Sequence, residues 1–145
     1  MIELDINKAL DGLLNTLAAR YGFPVAWENS EFEPGEQPYL KPSFLPATTM
    51  SPSVQLKGKV FRGVYQVSLI IAIGSGTQAA RRSASQIAEG MELALTPNGE
   101  TGVTGLVIGD GTYEVYTTSP ATISAGFNDG YGYNIPITLN YRADT

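Results

Sequence analysis

The sequence predicts an α+β fold: two helices packed on one face of a mostly antiparallel β-sheet, with a long mobile β-hairpin-like arm. Two segments with helical periodicity each carry one apolar stripe, and the C-terminal third alternates apolar and polar residues around Asp-Gly turns. A polar stretch without a tight-turn signal joins two of the predicted strands, which is unusual inside a compact domain. Because a helix with one apolar stripe must bury it, a sheet with one apolar face accommodates both helices. We expect a single domain over residues 1–145.

Each predicted helix has recognisable ends. Asp5 favours the start of the first helix, and Gly22 and Pro24 end it. Its apolar stripe consists of Ile6, Leu10, Leu13, Leu14 and Leu17. The second helix is predicted from Thr77 to Leu95, with Thr77 or Ser75 as its cap. Its stripe consists of Ala80, Ala84, Ile87, Ala88, Met91 and Leu95.

Three strands are predicted before the second helix. Pro24–Glu28 reads as a short strand. Tyr39–Ala47 contains two prolines, which cannot donate ladder hydrogen bonds, so this strand either lies at a sheet edge or bends. Gly63–Ile73 alternates most clearly. Its predicted core face consists of Tyr65, Val67, Leu69, Ile71 and Ile73.

The C-terminal third predicts two hairpins. Gly105–Ile108 and Thr112–Thr118 flank one Asp-Gly turn, and Ala121–Phe127 and Tyr131–Arg142 flank another. The Tyr131, Tyr133 and Tyr141 side chains share one face of the last strand, where we expect core or subunit contacts.

Composition excludes several classes of chemistry. The chain contains no His and no Cys, which removes Ser-His-Asp and Cys-His arrangements, thiol chemistry and disulfides. The formal net charge of −5 argues against specific nucleic-acid binding, which needs clustered cations. The acidic N-terminus lacks a signal pattern, and the longest apolar run is too short to span a bilayer, so we expect a soluble protein made inside the cell. We expect no catalytic residue, no cofactor and no metal site.

Two motifs have both a functional and a structural interpretation. Gly74–Ala79 fits the dinucleotide-binding pattern G-x-G-x-x-A, but the acidic residue that should end the following strand is missing, so a strand-to-helix turn is favoured. Asp110 and Asp129 offer two carboxylates, but Asp-Gly is the favoured hairpin turn pair.

Two clusters of charged residues are candidates for contacts with other proteins. Glu28, Glu31, Glu33 and Glu36 form either a solvated loop or an acidic rim that faces another protein. Arg81 and Arg82 lie early on the second helix, off its apolar stripe, where cations are mildly unfavourable. They are either solvated or contact a partner, because Arg is enriched in protein interfaces.

The order of segments resembles the tail terminator (tail-tube capping) proteins of long-tailed bacteriophages, including a related bacteriophage family of unassigned function. An N-terminal helix followed by "FPVAWENSEFEPGEQPYLKPSFLPA", then "RGVYQVSLIIAIGSG" before a helix, and finally "YNIPITLNYRAD", carry the resemblance. The positions that match the family pattern are Pro24, Trp27, Phe32, Pro34, Tyr39, Leu45, Gly63, Tyr65 and Gln66.

The resemblance implies a structural protein and no enzyme. Such proteins form rings of six subunits that cap the tail tube, stop its polymerisation and present a surface to the head–tail connector. The implied partners are further copies of the chain, the tail tube protein and the connector protein, with no membrane. The implied location is the head-proximal end of the virion tail, after assembly in the host cytoplasm. Another neck or tail-completion adaptor of the same fold, or a small nucleotide-binding enzyme that uses Gly74–Ala79, are the alternatives.

Within that interpretation, Thr48–Phe61 becomes an arm that orders against a neighbouring subunit or the tube, and the alternative is an ordinary long exposed hairpin. The edge strand Tyr39–Ala47 pairs across the ring. The predicted interface consists of Met50, Val54, Leu56, Lys57, Lys59, Phe61, Arg62, Gln66, Arg81 and Arg82.

Overall fold

The structure, a computed structural model, describes residues 2–33, 38–49, 51, 58–96, 106–108, 113–117 and 119–144. The helices are α1 (Ile2–Tyr21) and α2 (Gln78–Leu95). The strands are β1 (Tyr39–Pro46), β2 (Val60–Ile71), β3 (Leu106–Ile108), β4 (Tyr113–Tyr116), β5 (Thr122–Ile123), β6 (Phe127–Asn128) and β7 (Tyr133–Asp144).

The strands form one antiparallel sheet in the order β1-β2-β7-β4-β3. β2 and β7 have 12 residues each and pair along their whole length, from Val60 opposite Asp144 to Ile71 opposite Tyr133. The other edge of β7 pairs in turn with β4, β5 and β6. The long β2–β7 pair is therefore the centre of the fold, and β1 lies at an edge, one of the two alternatives that its prolines predict.

One face of this sheet and the two helices enclose the core. α2 contacts β2, β5 and β7, whereas α1 contacts β1 and β3, which are the two edges of the sheet. A sheet whose two edges reach the same helix is curled, so α1 closes its open side. The predicted stripes point into this core, and Gly90 of α2 lies so close to Leu17 of α1 that a Cβ there would be 2.6 Å from a Leu17 methyl carbon. The sequence prediction of two helices on one face of an antiparallel sheet is confirmed.

Several predicted strands differ from the observed ones. Pro24–Glu28 is not a strand, and only Val25 forms an isolated parallel bridge, with Leu40. The strand predicted at Ala121–Phe127 is split into β5 and β6. The Ser124 N–H still donates to the Pro136 carbonyl at 2.9 Å, but the chain then leaves β7 up to Gly126, whose backbone packs on the Tyr133 ring.

Ile73, predicted to belong to the core, and Tyr131, predicted to make core or subunit contacts, are both exposed. β2 ends at Ile71, so the Ile73 side chain lies beyond the sheet and is 53% exposed. Tyr131 is 97% exposed because β7 begins only at Tyr133, while Tyr141 is buried as expected.

The long arm predicted over Thr48–Phe61 is not confirmed. Residues 50 and 52–57 lie outside the described residues, so the predicted contacts of Met50, Val54, Leu56 and Lys57 do as well. At the described end, Val60 and Phe61 belong to β2, and Phe61 packs against the core of its own chain. The Ser51 hydroxyl donates a hydrogen bond to the Gly58 carbonyl at 2.9 Å and joins the two described ends of the connection.

Candidate interaction surface

The edge of β1 that faces away from β2 is protected against pairing with another strand in three ways. Alternate residues of β1 point their backbone groups away from β2, and these are Leu40, Pro42, Phe44 and Pro46. The two prolines have no N–H group, and the Leu40 N–H donates to the Pro24 carbonyl at 2.9 Å. The Phe44 N–H donates to the Glu28 carboxylate. From Leu40 to Pro46 this edge therefore has no N–H left for a strand of another copy.

A polar cleft of about 570 Å³ lies between α1 and the loop that carries Glu28. At its base the buried Tyr65 hydroxyl donates a 2.6 Å hydrogen bond to Asp11 Oδ1, which joins β2 to α1. Burial raises the pKa of Asp11, the hydrogen bond from Tyr65 opposes this, and Glu28 raises the pKa further. Burial and the Asp11 carboxylate raise the pKa of Tyr65, so its hydroxyl stays a neutral donor. The hydrogen bond between Tyr65 and Asp11 therefore connects α1 to the sheet.

The loop Gly74–Ala79 is a strand-to-helix turn. Gly74 and Gly76 have φ angles of 84° and 83°, and the Ser75 hydroxyl donates to the Ala72 carbonyl at 2.7 Å. A dinucleotide-binding turn lies between parallel strands, but β2 pairs antiparallel with both of its neighbours. Thr77 is the N-cap residue of α2, as predicted, although its side chain makes no capping hydrogen bond.

Asp129 performs the turn chemistry that the Asp-Gly pair predicts. Its Oδ1 accepts 2.9 Å hydrogen bonds from the N–H groups of Tyr131 and Gly132. These bonds, the Tyr131 N–H first among them, lower the pKa of the exposed Asp129 carboxyl. Asp110 lies outside the described residues.

The sheet face that carries no helix, here called the outer face, holds alternate residues of β1, β2 and β7. Opposite partners in a ladder share a face, which places Arg62 directly across from Arg142. The members of the outer face in these strands include Lys41, Ser43, Leu45, Arg62, Val64, Gln66, Ser68, Thr138, Asn140 and Arg142. Gln66, one of the predicted interface residues, is half-buried in the middle of this face.

A depression of about 340 Å³, here called the arginine cleft, lies at one end of the outer face. It is lined by Ala47, Arg62, Gly63, Val64, Asn140, Tyr141 and Arg142. Beside it, Gly63 lets β1 and Tyr141 approach the β2 backbone, because a Cβ at this position would lie 2.5 Å from the Leu45 carbonyl oxygen and 2.6 Å from the Tyr141 hydroxyl. Arg62 and Arg142 are both exposed.

Asp144 fixes one of the two arginines. Arg142 Nε donates to Asp144 Oδ1 at 2.8 Å, and the Tyr116 hydroxyl donates to the other carboxylate oxygen at 3.0 Å. The hydrogen bond from Arg142 is the main reason that the pKa of Asp144 is lowered. Two cations that face each other across a ladder repel, and Asp144 offsets part of that repulsion.

The structure places the remaining predicted interface residues at two separate positions. Lys59 and Arg62 lie at the entrance of β2, next to the arginine cleft, and both are exposed. Arg81 and Arg82 are exposed in the first turns of α2 and have no ion-pair partner among the described residues. The predicted interface is therefore not one continuous patch.

Sequence reasoning missed the Asp11–Tyr65 and Glu28–Phe44 bonds. Their partners are 54 and 16 residues apart, and no local pattern marks either pair. Across the described part of the chain, every buried side-chain nitrogen and oxygen has a hydrogen-bond partner. The acidic side chains there do not gather in threes as metal ligands do. Neither α1 nor α2 is long and apolar enough to cross a membrane, and this concerns the described residues only.

Comparison with known proteins finds a matching family model and a similar solved structure. The family model described as phage tail terminator protein matches residues 5–141. A solved structure is similar to this chain with a TM-score of 0.66 and 26% sequence identity, over 98% of this chain and 92% of that chain. No curated protein matches the chain.

Proposed function

This chain belongs to the phage tail terminator family and is thus a structural protein of the phage tail, and we propose that it caps the tail tube as a ring and stops tube polymerisation. The family match over residues 5–141 carries this proposal, since it includes both helices and nearly the whole sheet. The capped end then presents a new surface to the head–tail connector. The site of action is the head-proximal end of the tail, after assembly in the host cytoplasm.

Side chains, rather than strand pairing through β1, make the contacts between copies in this proposal. The edge has prolines at two of its four outward positions, and its two N–H groups are already used. Arg81 and Arg82 suit a partner contact because they are exposed at the unfavourable end of a helix dipole and lack an ion-pair partner in the described part of the chain. Lys59, Arg62 and Gln66 belong to the second proposed contact region, on and beside the outer face.

The net charge fits a ring through which DNA passes. A chain with a formal charge of −5 repels phosphate on average, so DNA does not adhere to the ring as it moves. Binding of the ring to the tube then depends on protein contacts alone.

Polymerising tail tube protein provides the test. Addition of this chain at increasing ratios should shorten the tubes and narrow their length distribution in electron micrographs, because each capped end stops growing. Tubes of unchanged length, together with binding to purified connector protein, would identify a head-side adaptor instead. A thermal-shift series with nucleotides tests the enzyme alternative, because a ligand that binds only the native state raises the melting temperature with its concentration.

A further inference from the structure

The described charges are distributed unevenly between the two sides of the molecule. On the helices and the loop after α1, eight described carboxylates outnumber four cations: Glu3, Asp5, Asp11, Glu28, Glu31, Glu33, Glu89 and Glu92 against Lys8, Arg20, Arg81 and Arg82. On the outer face, the cations Lys41, Arg62 and Arg142 outnumber the acidic Asp144, which Arg142 engages, and Glu114 of β4. An acidic chain thus has a face with an excess of cations, concentrated at the arginine cleft.

The acidic loop (Glu31–Glu33) supplies a complementary feature at the other end of β1. The Phe32 ring contacts the Tyr39 ring with centroids 4.9 Å apart, which places the exposed Glu31 and Glu33 near the start of β1. Neither carboxylate has an ion-pair partner among the described residues.

The two features cannot meet within one copy. The arginine cleft includes Ala47, just after the end of β1, and the acidic loop lies beside Tyr39 at its start. Seven residue steps of a strand span roughly 23 Å, far beyond the reach of a salt bridge. When complementary charges lie at opposite ends of one strand, two copies bring them together by packing head to tail. Such a contact closes into a ring when the rotation between copies allows it.

We propose that the arginine cleft of one copy receives Glu31 and Glu33 of the next copy. Arg62 and Arg142 present two guanidinium groups on adjacent strands, and guanidinium groups bind carboxylates in a fixed geometry. The partner is a second copy of this chain. This contact rests on the proposed ring assembly and names its charged surface.

Charge reversal on either side of the proposed contact tests it, and mixing the two variants should restore assembly. One variant carries Arg62→Glu and Arg142→Glu, and the other carries Glu31→Arg and Glu33→Arg. Each alone should associate about tenfold more weakly than the wild type in sedimentation at about 0.1 M salt, and the difference should shrink at about 1 M, where screening is stronger. An equimolar mixture should recover assembly, because each variant then meets the opposite charge on its neighbour.

Cysteine cross-linking tests the same contact without altered charge on the arginines. The natural chain has no Cys, so a chain with Glu33→Cys and Asn140→Cys forms only designed disulfides. A disulfide needs Cα atoms within about 7 Å, which excludes a bond within one copy. Oxidation should therefore give a ladder of linked copies.

The matched control replaces Asn140→Cys by Leu93→Cys, at a position on α2 that is 80% exposed, and should give dimers at most. Reversal variants that associate like the wild type, a chain that stays monomeric at all concentrations, or the absence of a ladder would each overturn the contact. The tube-length assay separates these results from failure of the capping function, because a protein that shortens tubes without this contact keeps the proposed function and loses only the proposed interface.

Discussion

The hydrogen bond between Tyr65 and Asp11 should contribute measurably to stability, and Tyr65→Phe removes it while the ring volume is kept. The Tyr65 side chain is fully buried, and its hydroxyl lies 2.6 Å from Asp11 Oδ1. A hydrogen bond to a charged group contributes about 1.5–3 kcal/mol. Asp11 also lines the open polar cleft, where water replaces part of the lost bond, so we expect a loss of about 1–2 kcal/mol in the free energy of unfolding.

The pH dependence of this loss has a definite sign. Burial raises the pKa of Asp11 above 3.8, so the native state holds this proton more tightly than the unfolded state. The stability linked to that proton is complete below about 3.8 and is lost as the pH rises through the folded pKa. The Tyr65 hydroxyl opposes the rise, so its removal raises the folded pKa further. The difference between Tyr65→Phe and the wild type should therefore be larger at pH 7 than in acid.

Urea and thermal unfolding followed by circular dichroism measure this difference. A loss of about 1–2 kcal/mol lowers the melting temperature of a chain of this length by roughly 3–8 °C. Tyr133→Phe is the matched control, because the hydroxyl of this half-buried tyrosine has no hydrogen-bond partner among the described residues and its change should stay within about 0.5 kcal/mol. Equal stability of Tyr65→Phe and the wild type at pH 7 would refute the argument that this bond fastens α1 to β2.

Two further substitutions, each with a control, test the contacts made to β1. Gly63→Ala should destabilise the protein by about 2–3 kcal/mol, because the new Cβ meets the Leu45 carbonyl and the Tyr141 hydroxyl. Gly12→Ala in α1 is the control: its new Cβ meets no atom within 4 Å, so it should stabilise the protein by about 0.5–1 kcal/mol. Chemical unfolding of both variants measures this contrast, and a tolerated Gly63→Ala would contradict the close approach. Glu28→Ala should expose the Phe44 N–H, cost about 1 kcal/mol and increase aggregation measured by light scattering, whereas Glu28→Gln keeps an acceptor and should stay close to the wild type. Equal aggregation of the two Glu28 variants would show that the edge is protected by other means.

The periodicity of apolar residues along the sequence was enough to predict the long amphipathic helices and strands. The stripe from Ile6 to Leu17 and the alternation of Tyr65, Val67 and Leu69 identify α1 and β2 because burial of one face repeats over many residues. Where the repeat is short, tertiary context decides. β5 and β6 have two residues each and exist only because β7 offers an unpaired edge, so the sequence from Ala121 to Phe127 could not reveal the break between them.

The candidate surface was only partly predictable for a related reason. Proline content alone indicated that β1 lies at an edge or bends, but the Glu28 carboxylate that completes its closure comes from a distant loop. Arg62 was identified as an interface residue, whereas Arg142 was not, because the two are brought together by the β2–β7 register across 80 residues of chain. Such pairs depend on topology, which a single sequence does not display.

We propose that this chain acts as a cap on the tail tube, and electron microscopy of tubes incubated with the protein tests this proposal most directly. We expect a closed ring at one end of each tube, in which neighbouring copies meet head to tail. Protein that decorates the sides of tubes, binds both ends equally or leaves every end bare would contradict it.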